Sequence, residues 1–191
     1  MKENYFNENF TSIRIEKLKT LSNEYENCQF EGCALSSLSF EKATFIDCLF
    51  IHCDLSNTSF KSAAMKGVTF DTCKLNGIHF EFCSSFMLDL KFYNCQMHYT
   101  SFFSMNLESV QFRKCELKES DFTEMSAINT SFEFCDLLNC QFDQSNLSGA
   151  DFTTAVNYRI NPLKNQIKKA RFSASGLIGL VADFGIEVVP D

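Results

Sequence analysis

Large apolar residues recur at every fifth position of this chain. Tyr25, Phe30, Leu35, Phe40, Phe45, Phe50, Leu55, Phe60, Met65, Phe70, Leu75 and Phe80 keep strict register. After a slip the series resumes at Phe92, Met97, Phe102, Leu107, Phe112, Leu117 and Phe122, then Phe132, Leu137, Phe142, Leu147 and Phe152, with the small Ala127 between them. A helix repeats its faces every 3.6 residues and a strand every 2, so neither keeps such a series on one side. The chain has to turn a corner every five residues. A second period, of twenty, sorts the series into columns. Phe30, Phe50, Phe70, Phe92, Phe112, Phe132, Phe152 and Phe172 form a first column, Leu35 to Leu137 a second and Phe40 to Phe142 a third. Columns that keep their own residue type are expected of four-sided coils stacked on one another.

The position two before each large residue is small or hydroxylic, as at Ala43, Thr58, Ala63, Val68, Thr100, Ser120 and Ser145. Every cysteine keeps that phase as well: Cys28, Cys33, Cys48, Cys53, Cys73, Cys83, Cys95, Cys115, Cys135 and Cys140. Zinc motifs and disulfide frameworks space their cysteines by ligand geometry, whereas these ten follow only the repeat. They read as small core residues. Coils stacked at the strand spacing of about 4.8 Å hold neighbouring thiols apart, because a disulfide needs Cβ atoms about 3.8 Å apart. All ten are expected to be reduced and inside.

Units such as "CDLSN" (Cys53–Asn57), "CELKE" (Cys115–Glu119), "SDFTE" (Ser120–Glu124), "SNLSG" (Ser145–Gly149) and "ADFTT" (Ala150–Thr154) resemble the A(D/N)LXX signature of pentapeptide-repeat proteins. The resemblance implies an all-β fold, a right-handed quadrilateral parallel β-helix of about eight coils. The expected organisation is an irregular first coil or N-terminal cap over 1–24, the repeat solenoid over 25–154, and a closing segment with a short C-terminal helix over 155–191.

The repeat breaks in two places. Twelve residues instead of ten separate Phe80 from Phe92, so one corner bulges by two residues. Phe82, Phe86, Tyr93, Tyr99 and Phe103 cluster near it in outward positions, with Phe86, Tyr93 and Phe103 as the candidate patch. Either the bulge folds Phe86 and Met87 over its own corner, or the aromatics form a partner-binding surface. The second break is "AVNYRINPLKNQIKKA", where a loop containing Pro162 is expected to replace three faces before Ala170–Phe172 closes the first column. Ser173 then caps a short helix whose stripe, Leu177, Leu180, Val181 and Phe184, is expected to dimerise two chains, and Gly185 stops it. "IEVV" (Ile186–Val189) reads as a terminal strand. At the other end Phe10 and Ile15 keep phase, and Lys17, Lys19 and Thr20 break it.

Composition narrows the chemistry. The 191 residues carry a formal charge of −7, the wrong sign for gripping nucleic acid directly. No apolar run is long enough for a signal peptide or a membrane span, so a cytoplasmic protein is expected. His52, His79 and His98 sit outward on different coils with no carboxylate or cysteine at ligand spacing. The sequence holds no phosphate-binding loop, nucleophile elbow or HExxH, so neither catalysis nor a cofactor or metal is expected. Residues 27–154 hold 16 acidic and 8 basic side chains, net −8, and 155–191 hold 3 acidic and 5 basic, net +2. Glu116, Glu119 and Asp136 map to the second face and Asp121, Glu124 and Asp143 to the third, with Lys118 as the opposing charge at those positions.

The tail "NYRINPLKNQIKKARFS", followed by an apolar helix and "GIEVV", is similar to the ending of the Qnr-type, gyrase-directed branch of that family. The similarity implies a homodimeric DNA mimic that binds and modulates a type II topoisomerase, with the six carboxylates as the partner surface and with possible quinolone protection. The large projecting loops of many Qnr-type rods are absent, apart from the bulge at 84–89. A non-catalytic scaffold for another protein partner is the competing reading.

Overall fold

A computed structural model describes residues 3–12, 21–108, 110–187 and 189. The chain winds as a four-sided parallel β-helix of about eight coils, closed by one short helix. One pentapeptide makes one side. Its central residue points inward, and the residue two further on carries the corner with positive φ, as at Asn27, Asn57, Asn94, Asn129 and Asn139. A left-handed corner strains most side chains, which is why Asn and Gly recur there. At Gly67 the corner has φ +64°, and a Cβ would fall 2.2 Å from Asp47 Oδ1 of the coil below, so a side chain there has to displace the Asp47 carboxylate.

Stacking follows from these corners. On the first face β2 (Asn9–Phe10), β4 (Gln29–Glu31), β6 (Leu49–Ile51), β8 (Val68–Asp71), β9 (Leu90–Tyr93), β10 (Gln111–Arg113) and β11 (Phe132–Glu133) form one seven-stranded sheet. β12 (Asp151–Phe152) pairs with β13 (Arg171–Phe172) above it. The column from Phe10 to Phe172 therefore stacks without a break, with ring centroids 4.4–5.4 Å apart and planes within 17°. The third-face column from Phe40 to Phe142 is looser, at 5.1–6.5 Å, and widest between Phe60 and Phe80. Rings of the two columns meet edge to face, as Phe112 does with Phe122, an arrangement that suits their quadrupoles.

The fourth face differs. There β1 (Asn4–Phe6), β3 (Glu24–Glu26), β5 (Thr44–Ile46) and β7 (Ala64–Lys66) form a four-stranded sheet that stops at β7. The next coil places the bulge on this side, and pairing resumes above it as bridges from Asn106 to Ser126 and from Ser126 to Asn146.

Nine of the ten cysteines are buried and all ten are free. Cys53 Sγ donates to the Phe30 carbonyl of the coil below at 3.3 Å, and Cys73, Cys95 and Cys115 repeat the contact with Phe50, Phe70 and Phe92 at 3.4 Å. Burial pushes the Cys48 and Cys140 thiols up to about 12. Within the ladder, the hydrogen bond to Cys53 followed by burial holds Cys33 above the ordinary thiol range. Cys83, only partly covered, is the exception to the expected interior placement.

The closing segment keeps more of a coil than its sequence promises. Val156 bridges Asp136 and Gln166 bridges Asn146, so the second and fourth sides persist where three were expected to be lost. Ser173 Oγ accepts from the Gly176 N–H at 3.1 Å, and helix α1 (Ile178–Val181) continues into a turn that ends at Gly185 with φ 63°. The stripe is rotated from the expected one. Gly179 is the buried residue, Leu180 packs on the chain's own core, and Leu177, Ile178 and Phe184 face outward. Close approach sets this rotation, since a Cβ at Gly179 would lie 2.2 Å from the Tyr158 carbonyl oxygen. The expected terminal strand is absent at Ile186, Glu187 and Val189, and Val188 lies outside the described residues. At the other end Phe10 is buried against Phe30; Ile15, Lys17, Lys19 and Thr20 lie outside the described residues.

Candidate functional site

The six carboxylates do share one region of the surface, but not one electrostatic state. Lys118 Nζ lies 3.4 Å from both Glu116 Oε2 and Asp136 Oδ2. Asp136 Oδ1 accepts from Asn157 Nδ2 at 2.8 Å, and Asp143 Oδ2 meets Lys164 Nζ at 2.8 Å. Lys118 is therefore not the sole counter-charge: the closing segment folds Lys164 back onto the third face. That contact spans 21 residues through a stretch without repeat phase, so no spacing in the chain signals it. What remains is a stripe of three. Among the described residues, Glu119, Asp121 and Glu124 make no ion pair.

The backbone sets this stripe. Asp121 sits at the outward position before Phe122, and its Oδ1 accepts the Thr123 N–H at 2.8 Å. Glu119 and Glu124 occupy the corners on either side with φ 59° and 58°. Their amides donate to the Leu138 and Asp143 carbonyls of the next coil at 2.9 Å. Three carboxylates are thus fixed along one side of one coil on a frame that cannot slide. Two histidines also differ from expectation. His79 Nδ1 lies 2.8 Å from Glu81 Oε1, and His98 Nε2 lies 3.2 Å from Glu116 Oε2.

The bulge resolves its two readings in favour of exposure. Phe86 is 73% and Met87 59% exposed, and Leu88 rather than either of them packs on the core. Phe82 and Phe103 are outward too, and with Cys83, Leu88 and Met105 they line a groove of about 660 Å³. Tyr93 does not join this patch. It projects from the first face, where its hydroxyl donates to Gln111 Oε1 at 3.2 Å.

Coils of five-residue sides with inward Phe and Leu, ladders of parallel bridges and Asn- or Gly-bearing corners define one architecture, and sequence comparison agrees. A family profile described as "Pentapeptide repeat region" matches residues 23–85, and "Pentapeptide repeats (8 copies)" matches 128–155. The chain belongs to the pentapeptide-repeat family. The first match ends within the bulge. Among solved structures, this pentapeptide-repeat chain is similar to a trypsin-treated variant of QnrB1, described as a plasmid-mediated fluoroquinolone resistance protein, at 19% identity over 99% of both chains with a TM-score of 0.50. It is also similar to HetL of the cyanobacterium Nostoc sp. strain PCC 7120, a pentapeptide repeat protein involved in heterocyst differentiation regulation. There the identity is 11% over 90% of this chain and 85% of that one, with a TM-score of 0.44. No curated protein sequence matches the chain. Among the described residues no helix is long and apolar enough to cross a membrane.

Proposed function

We propose that this protein is a non-catalytic, dimeric rod that offers its acidic stripe to the DNA-binding surface of a type II topoisomerase in place of DNA. The observation that carries the reading is the stripe itself. Among the described residues Glu119, Asp121 and Glu124 make no ion pair, and the backbone holds them on a rigid frame, so their charge is not neutralised by direct contact within the molecule. Regularly spaced negative charge on a rod is what a duplex presents to a basic saddle. The Qnr-like tail supplies the partner class, and the fold shared with a fluoroquinolone resistance protein is compatible with it.

The apolar end supports dimerisation. Leu177, Ile178, Phe184 and Ile186 expose a hydrophobic patch beside the last coil, and a two-fold contact there buries the patch and joins both stripes near the middle of a longer rod. Ile178→Glu with Phe184→Glu is expected to sediment as a monomer. The wild-type chain remaining monomeric at micromolar concentration contradicts the dimer.

The test of function is a gyrase supercoiling titration with the wild type and with an E119K/D121K/E124K variant, each with and without a fluoroquinolone. The expected result is a change in supercoiling or cleavage with the wild type that the variant loses while it stays folded. Unchanged gyrase and topoisomerase IV activities at tens of micromolar and low salt overturn the reading. The exposed bulge favours a second reading, a scaffold for another protein, in which the stripe is dispensable.

A further inference from the structure

Glu81 occupies a position that other coils leave open. It follows the inward Phe80 on the third face, as Glu41 follows Phe40 and Asp143 follows Phe142. Those side chains are 43% and 50% exposed, whereas Glu81, in the 3-10 turn Phe80–Phe82 beside the bulge, is 15% exposed. Its Oε1 lies 2.8 Å from His79 Nδ1. Its Oε2 is buried, and among the described residues it has no hydrogen-bond partner. A buried carboxylate oxygen without a donor is destabilising.

The groove around it has two further features. Phe82, Leu88, Phe103 and Met105 give it apolar walls, and Glu108 adds a second carboxylate. Its upper wall is an open strand edge. In higher coils the equivalent amides are paired, Ser126 N–H to the Met105 carbonyl and Asn146 N–H to the Met125 carbonyl at 2.9 Å. The Asn106 N–H faces the bulge and bonds to no described residue. The two extra residues lift the chain out of the ladder and leave that edge uncovered.

We propose that this groove binds an extended segment of a partner polypeptide through an arginine side chain. The guanidinium donates to Glu81 Oε2 and to Glu108, its planar face lies against Phe82 or Phe103, and the peptide backbone pairs with the Asn106 edge. Arginine fits better than lysine because its fork donates in two directions within one plane. The open edge favours a peptide over a small amine, which has no backbone to place there. Either carboxylate oxygen of Glu81 reaches the groove by turning the soft terminal torsion. The site lies on the bulge, away from the acidic stripe, and does not depend on topoisomerase binding.

The experiment is a titration of the intact chain with a panel of capped pentapeptides that carry arginine at the centre and Val, Ile, Thr or Tyr around it. Amide chemical shifts of Asn106 and Glu108 are followed, with parallel titrations using glutamine at the centre and using agmatine. Arginine peptides are expected to shift both amides and to bind at least about tenfold tighter than their glutamine analogues, roughly 1.4 kcal/mol. Glu81→Gln, which keeps the contact with His79, is expected to erase that difference and to leave the melting temperature unchanged or raised. E119K/D121K/E124K is expected to bind the peptides as the wild type does, which separates this site from the stripe. The proposal is overturned if no arginine peptide shifts these amides, if arginine and glutamine peptides bind alike, or if agmatine binds as tightly as the best peptide. A fall in melting temperature in Glu81→Gln with arginine preference intact also overturns it, because Glu81 is then a structural residue.

Discussion

The first and fourth faces of the rod are built from the same five-residue unit and behave differently. On the first face the Phe column runs from Phe10 to Phe172 with no gap wider than 5.4 Å, and even the slip is absorbed, since Phe70 pairs with Phe92 in register. On the fourth face the sheet stops at β7, and Ser85, Phe86 and Met87 make no backbone–backbone hydrogen bond to another described residue. Removing Ser84 and Ser85 on paper leaves Cys83, Phe86, Met87, Leu88 and Asp89 as a complete unit with Met87 inward and Asp89 at the corner. The interruption is thus an insertion into an otherwise regular repeat. One face carries stability, and the other gives some of it up for an exposed aromatic groove.

Alkali is expected to have the largest effect on this contrast. Burial raises the Cys48 and Cys140 thiols to about 12 in the folded chain, above the unfolded value of about 8.5. A raised folded pKa means that this stability is intact below about pH 8.5 and is lost as pH rises toward 12, by up to about 1.4 kcal/mol per pH unit and thiol. Urea midpoints measured from pH 7 to 11 should fall over that window, and a flat profile contradicts it. Phe112→Ala comes next. It opens a cavity between Phe92 and Phe132, each 5.3 Å away, and should cost about 3–5 kcal/mol in equilibrium unfolding. Phe86→Ala, on the interrupted face, should change stability by less than about 0.5 kcal/mol.

Deleting Ser84 and Ser85 should raise stability by about 1–3 kcal/mol, because Met87 becomes buried and strand pairing resumes. The same variant should lose the groove and its peptide binding. The smallest effect on global unfolding is expected from Gly179→Ala. It forces helix α1 away from Tyr158 and should weaken dimerisation in sedimentation experiments while the solenoid melts nearly as before.

The solenoid was legible because period five and period twenty are visible in the residues themselves, and the cysteine positions follow from them. The features that lie outside the period were not. Spacing located the slip near Ser84 but did not say whether Phe86 would tuck in, since no neighbour at fixed offset constrains a loop. Helical spacing marked Leu180 as outward, yet the contact of Gly179 with the Tyr158 carbonyl turns it inward. The repeat phase assigned the acidic residues to faces, but Lys164 reaches Asp143 from a segment whose coil phase is hidden. Its partial neutralisation required the fold.

The central functional claim is that an unneutralised stripe on a rigid rod stands in for DNA. Equilibrium binding of labelled wild-type rod to gyrase across salt concentrations tests it most directly. Affinity should fall steeply as salt rises and vanish in E119K/D121K/E124K, with the far-ultraviolet spectrum unchanged. Binding that is insensitive to salt and retained by that variant would contradict it.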